Sequence, residues 1–388
     1  MVRSQTSSVL LLAATVTLGF LGLAACQPSG PSGPERTEIL WDDWGVPHIY
    51  APAPDSAFFA YGWAQMKAHG DRILHLYGEA RGRAAEYFGA DHLSSDRRVR
   101  TLSLPERAES WEEAQSAPYG GYVDAFVAGM NAYANAHPDQ LGEAAKRVLP
   151  VRSTDVYGQI LRAIHFTFIA NGEVQNAREW TSQRRSSQRG SNAWAVGPSR
   201  TASGNAMLLS NPHLPWSGLF TWFEGHLVGP DFSIYGAGLV GTPFPAIAFN
   251  DYLGWTHTVN PLDAADLYRL ELTGDGRYRW DDSTRALKSR TDTLWVVTDN
   301  GSVRTETHTV QRSVHGPVVA TEGDEALALR VAGLERSGIV EQYWKMLTAS
   351  SLPEFQSALG MLQIPMFNTV YADRDGHILY HFGGTIPK

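Results

Sequence analysis

Two textures follow one another along the chain. Up to about residue 180 the apolar positions recur at helical spacing, and after residue 190 they recur at every second position. A short strand at Thr37–Leu40, a turn over Asp43–Pro47 and a second strand at His48–Ala51 open the first part. Asp55 then stands where a helix cap is expected. Phe58, Tyr61, Gly62, Ala64 and Gln65, continued by Ile73, Leu74, Tyr77 and Ala80, follow at helical intervals. Val123, Phe126, Val127, Met130 and Tyr133 share the face of another amphipathic helix. Pro138 ends it, because a residue before proline is biased out of the helical region. A further helix, capped by Ser153 or Thr154, runs through "STDVYGQILRAIHFTFIANGEVQNAREW".

The stretch "TSQRRSSQRG" is polar, basic and turn-rich, and predicts an exposed loop of the kind proteases cut. Beyond it "NAWAVG" and "NAMLLSNPH" read as an antiparallel pair. "LFTWFEGHLVG", "FSIYGAGLVG", "PAIAFN", "LGWTHTVN", "LYRLEL", "TDTLWVVT", "VRTETHTVQRSV" and "ALALRVAG" read as further strands. No fixed-period repeat is evident. The pattern predicts an α+β protein: a helical segment, a linker, then a large sheet region.

Composition narrows the function. A net charge of −8 leaves no basic stripe for nucleic acid, and twelve tryptophans suit large packed layers or an aromatic pocket. The first residues read as an export signal. Arg3 precedes the apolar run Val9–Leu23, which is too short for a comfortable membrane span. The run ends in "LAAC", which resembles the lipobox of bacterial lipoproteins; the alternative is a plain secretory peptide cut after "LAA". Cys26 is the only cysteine, so it has no internal disulfide partner, and its place favours lipidation. "QPSGPSGPER" then reads as a flexible tether. The expected organisation is a signal with lipobox at 1–26, a tether at 27–36, a helical α segment at 37–180, a spacer at 181–190 and a β segment at 191–388. The expected location is the periplasm or cell envelope, with a lipid anchor at Cys26.

The stretch "RGSNAWAVG" places Ser191 at the start of a strand, directly after the loop. It reads as a turn, as a structural serine, or as a cleavage point that creates a new N-terminus. In the last case Ser191 carries both a hydroxyl and a free α-amine. That amine has an ordinary pKa of about 7.7–8, close enough to neutrality to act as general base for its own hydroxyl. Gly190 lets the serine oxygen approach its carbonyl.

Around this serine, "RGSNAWAVGPSRTASGNAMLLSNPHLPW" resembles the nucleophile region of the penicillin acylase family of N-terminal nucleophile hydrolases. The acyl-homoserine-lactone acylase and aculeacin acylase branches are the most similar. "WDDWGVPHIYA", "YGWAQMKAHGDRILHLYGEARGRAAEYFG" and "LGWTHTVNPLDAADLYRLEL" resemble other blocks of that family, in the same order. The resemblance implies an αββα four-layer sandwich, autoproteolysis at Gly190–Ser191, and hydrolysis of the linear amide of an N-acylated small molecule. Acyl-homoserine lactones, β-lactams and lipopeptides are the substrate classes it implies, with the two segments staying associated after cleavage. It implies Ser191 as nucleophile and His213 as a residue lining it, by backbone or ring. It also makes the Val259 N–H one oxyanion donor. The second donor in the family is an asparagine further along the β segment, so the chain is expected to be a fragment or to have its remainder on another polypeptide. Asn250, Asn260 and Asn368 are poorly placed in sequence to replace it. Asp263 and Asp266 in "NPLDAADLY", with Glu173 in "ANGEVQN", resemble the family's ligands for one structural calcium ion; the alternative is turn or capping carboxylates.

Leu214, Trp216, Phe220, Trp222 and Phe244 are expected to line an acyl pocket or to be simple core. In "DGHILYHFGG" the alternation of Ile378, Tyr380 and Phe382 predicts a strand with His377 and His381 on its exposed face, which argues against a metal pair there. "GAGLVGTP" lacks the lysine and following helix of a phosphate loop. The alternative to an acylase is a non-catalytic or inactive envelope lipoprotein that binds a small ligand.

Overall fold

The computed structural model describes residues 34–179, 190–298 and 300–386. The export signal with Cys26, tether residues 27–33 and spacer residues 181–189 lie outside the described residues. Strands β1 (Glu38–Trp41) and β2 (Pro47–Tyr50) pair antiparallel, each displaced by one residue from the expected strand. Helix α1 (Pro54–Ala80) begins on a proline, whose missing N–H has no helical partner to lose. Ala53 is its N-cap, and Asp55 lies in the first turn without capping it. There the carboxylate still complements the helix dipole. The helix kinks at His69.

Short helices follow: α2 (Ala84–Phe88), α3 (Leu93–Thr101), α4 (Leu104–Glu113), α5 (Tyr119–Ala136), α6 (Glu143–Lys146) and α7 (Ser153–Leu161). Helices α1 and α5 cross with their backbones in contact. A Cβ on Gly62 would lie 2.0 Å from the Phe126 carbonyl oxygen, and one on Gly129 1.9 Å from that of Phe59. Only glycine permits that approach. At α7 the N-cap is Arg152, whose N–H donates to the Asp155 carboxylate at 2.7 Å. The expected cap residue Ser153 instead donates its hydroxyl to Asp124 at 2.6 Å. Beyond α7 the apolar periodicity suggests an unbroken helix, but residues Arg162–Ile169 are π-helical before α8 (Asn171–Glu179) resumes. The Ala170 N–H reaches back five residues to the His165 carbonyl at 2.9 Å.

The second part is strand-rich. Strands β3 (Gly190–Val196) and β4 (Met207–His213) form a hairpin. Then come β5 (Trp222–Val228), β6 (Ser233–Leu239), β7 (Ile247–Asn250), β8 (Leu253–Thr258) and β9 (Ala265–Glu271). Strands β10 (Arg277–Trp280), β11 (Ser283–Ala286), β12 (Lys288–Val297) and β13 (Val303–Arg312) make two hairpins. Strands β14 (Val318–Glu322) and β15 (Glu325–Val331) join β9 in a three-stranded sheet. After them lie helices α9 (Ile339–Thr348) and α10 (Leu352–Leu359), then strands β16 (Met366–Asp373) and β17 (Ile378–Gly384). The two helices escape the strand reading, although Ile339, Val340, Tyr343, Met346 and Leu347 recur at helical spacing and are all buried.

The main sheet has eight strands in the order β1-β2-β5-β6-β7-β8-β16-β17, parallel only where β2 meets β5. Helices α1, α9 and α10 pack on one face, and the β3–β4 hairpin stacks on β8, β16 and β17 at the other. This is the expected α+β class, with the helix, sheet and sheet layers of the sandwich in that order. One expectation holds only in part. His377 is exposed as expected, but on β17 it is Ile378, Tyr380 and Phe382 that are exposed, while His381 is half-buried.

Candidate active site

Strand β3 alternates, so Ser191, Ala193 and Ala195 face the main sheet while Asn192 and Trp194 face outward. Ser191 is half-buried, and its hydroxyl donates to the Gly190 carbonyl at 2.8 Å. The uncut peptide therefore already holds the oxygen beside the carbonyl it would attack. Across the hairpin Ser191 pairs with Pro212 and Gly190 pairs with His213. Paired residues share a face and neighbours in sequence do not. The exposed His213 side chain thus lies on the face opposite Ser191, and only its backbone remains beside the nucleophile strand.

Ser191 and Val259 line one cavity of about 70 Å³. Pro212, Leu214, Trp222, Leu239 and Phe244 line it from the sheet region; Ile160, Ala163, Ile164 and Phe168 line it from α7 and the π-helical turn. Tyr343 on α9, His257 and Phe367 also reach it. Of the expected acyl-pocket residues, Leu214, Trp222 and Phe244 are there, and Phe220 packs edge-on against Phe168 at 5.7 Å. Trp216 is 95% exposed and takes no part.

The loop that carries Thr242 and Phe244 into this cavity is held by α1. The Gln65 side chain accepts from the Gly241 N–H at 2.9 Å and donates to the Thr242 carbonyl at 3.0 Å. The Tyr77 hydroxyl donates to the Gly241 carbonyl at 2.9 Å. Gly241 has φ +78°, a backbone state that other residues seldom adopt. The contributions of the helical segment to the cavity were not legible as site residues. Their only signal was apolar spacing, which core residues share.

His257 is buried, with its Nδ1 3.2 Å from the Thr369 hydroxyl and its ring stacked on Phe367. Burial pulls its pKa down to about 4, so the ring is neutral near pH 7. The three asparagines set aside in sequence have structural partners and none lines the cavity. Asn250 donates to the Leu347 and Ala349 carbonyls, Asn260 to the Gly383 carbonyl, and Asn368 to the Thr258 hydroxyl.

The residues expected to bind calcium do not fit that ion as placed. Asp263 is exposed in the loop before β9, Asp266 lies on β9 opposite Arg330, and Glu173 on α8 accepts from Asn176 at 3.3 Å. Their oxygens are not gathered within the 4.8 Å that a shared ion requires, and no chemistry is routed through them. His377 bonds to Asp373 at 2.9 Å and joins no metal group with His381 among the described residues.

The structure thus sets a serine at the opening of a strand against an apolar cavity, within a helix–sheet–sheet framework. A model of the penicillin amidase family matches residues 36–388, and the chain belongs to that family. Among similar proteins, the acyl-homoserine lactone acylase PvdQ of Pseudomonas fluorescens strain Pf0-1 is 30% identical over 95% of this chain and 53% of its own length. The aculeacin-A acylase of Actinoplanes utahensis is 27% identical over 99% of this chain and 55% of its own. The chain thus spans about half the length of these curated relatives. A thermostable penicillin G acylase from Alcaligenes faecalis aligns over 50% of this chain and 35% of its own, with 21% identity and a TM-score of 0.45.

Proposed function

We propose that the chain belongs to an exported amide hydrolase that matures by cutting itself at Gly190–Ser191, with an α segment before the cut and β-segment sequence after it. The observation that carries this is the shared cavity. Ser191, with its hydroxyl on the Gly190 carbonyl, and Val259 open onto the same apolar space.

In maturation the Ser191 oxygen attacks the Gly190 carbonyl carbon, the peptide C–N bond breaks, and an ester forms. Water cleaves the ester, leaving a carboxylate on Gly190 and a free amine on Ser191. In turnover the same oxygen attacks the acyl carbon of the substrate. The α-amine takes the hydroxyl proton and passes it to the leaving amine, and water then releases the acid. The Val259 N–H stabilises the oxyanion, a contribution of about 2.7–4 kcal/mol for one such donor. His213 contributes by backbone alone. An N-acylated small molecule places its acyl group in the apolar cavity, and acyl-homoserine lactones, β-lactams and lipopeptides are the classes to assay. Both segments build the cavity wall, so they stay together after the cut. The "LAAC" stretch supports export with a lipid anchor at Cys26.

Intact mass and N-terminal sequencing of the complete gene product, beside its Ser191→Ala variant, test this reading. A fragment beginning "SNAWAVG" in the parent alone, with amide hydrolysis lost in the variant, is the expected result. A cut or active alanine variant overturns the mechanism. One uncut, inactive chain in both cases makes the protein a binding lipoprotein or an inactive relative.

A further inference from the structure

Away from the Ser191 cavity, α1 and the turn that follows α2 bring two imidazoles and a carboxylate together. His75 and Glu79 are four residues apart, on one face of α1. The His75 Nε2 lies 3.7 Å from a Glu79 oxygen. The chain leaves α1 at Arg81 and doubles back through α2. The 3₁₀ turn Ala90–His92 then delivers the His92 ring 4.9 Å, centroid to centroid, from that of His75, nearly perpendicular to it. One ligand atom from each of the three residues lies within 4.8 Å of the others, and no other trio of His, Cys, Asp or Glu does so among the described residues.

We propose that His75, Glu79 and His92 bind one zinc-type transition-metal ion. The donor set is two ring nitrogens and one carboxylate oxygen. It suits zinc and its borderline neighbours and not calcium or magnesium, which take oxygen donors. A tetrahedral ion about 2.0–2.1 Å from each donor sets neighbouring donors roughly 3.4 Å apart. The His75–Glu79 pair is already near that spacing, and rotation of the His92 ring brings in the third.

The surroundings favour this geometry. Phe88 stacks on the His75 ring at 4.4 Å, which holds that ring in place, and meets the His92 ring only edge-on at 5.8 Å. Arg162 pairs with the second oxygen of Glu79, which fixes the carboxylate and leaves its first oxygen for the ion. The His75 side chain is 30% exposed and that of Glu79 16%, so an ion has access from solvent. The ion would clamp the end of α1 to the turn after α2. It would not act in the amide chemistry, so the proposal stands or falls apart from the function proposed above.

The test uses the untagged complete gene product, stripped with EDTA and then titrated calorimetrically with zinc chloride. One zinc per chain is expected, with a rise in melting temperature that magnesium does not reproduce. Both His92→Ala and His75→Phe should weaken zinc binding by at least the ~100-fold that loss of an outer-sphere partner alone can cause. The phenylalanine keeps the stack on Phe88 and removes the nitrogen, so a folded variant is at hand should the alanine fail to fold. A parent that takes up no stoichiometric zinc overturns the proposal. So does a folded variant that binds zinc as tightly as the parent.

Discussion

The two faces of the eight-stranded sheet differ in what covers them. On the face under α1, α9 and α10 stand Phe223, Leu227, Ile234, Trp255 and Tyr371, none more than 5% exposed. The opposite face has the β3–β4 hairpin over β8, β16 and β17. There Phe249, Ile378, Tyr380 and Phe382 are half or more exposed. The hairpin's own outer face shows Trp194, Met207 and Leu209 to solvent. Both faces are made of strands with the same apolar alternation. Alternation states that a strand has an apolar side; it does not state what, if anything, lies against it. The Ser191 cavity sits where the two regimes meet, walled by α7, the π-helical turn and α9 on one side and by the hairpin on the other.

The sharpest way to break the comparison is on the helical side. Arg81, just past α1, donates to both oxygens of Asp155 at 2.6 Å and also to the Val148 and Pro150 carbonyls. The Asp155 side chain is 2% exposed and that of Arg81 15%. Removing one partner of such a pair leaves a buried charge without its counter-charge, at a cost of about 3–5 kcal/mol. Asp155→Ala should therefore lower stability by that amount in urea denaturation. A loss below about 1 kcal/mol would mean that α7 is held by its apolar face alone.

A smaller effect comes from pH. His257, on the helix-covered face, has a folded pKa of about 4 against about 6.5 in an open chain. Above pH 6.5 both states are neutral there and nothing is lost. As the pH falls from 6.5 toward 4, the unfolded chain takes up a proton that the folded chain resists, so stability falls. Between pH 7 and pH 5 this amounts to about 2 kcal/mol. His257→Gln should lose that much less stability over the same interval. Equal losses in parent and variant would show that the ring is hydrated in solution.

How much of this was legible in the sequence depended on the kind of signal. The long helices α1 and α5 and most strands were readable because their periodicity extends over many residues. The place of Ser191 at the first positions of a strand after a polar loop was readable from the change of texture, whereas its reading as a nucleophile rested on the resemblance of the surrounding motifs. The ring direction of His213 was not, since it follows from a hairpin register in which Gly190 faces His213. The π-helical stretch was hidden because the wider turns of an eight-residue segment leave the apolar spacing almost unchanged. The His75–Glu79–His92 group was hidden because its third member comes from a turn that only the folded chain brings back to α1.

The smallest effect is expected on the uncovered face, and it tests the comparison most directly. Trp194 is 54% exposed on the outer side of the hairpin, opposite Leu209. A residue with that much water contact has little burial to lose, and surface changes usually stay within about 0.5 kcal/mol. Trp194→Gln in the chain Met1–Lys388 should leave the urea midpoint nearly unchanged and reduce binding of a hydrophobic dye. The equivalent truncation beneath the helices, Trp255→Gln, removes a side chain that is 1% exposed and should cost about 3–5 kcal/mol. If Trp194→Gln proved as costly as Trp255→Gln, the hairpin's outer face would be covered in solution, and the difference between the two faces would lie in what covers them rather than in whether they are covered.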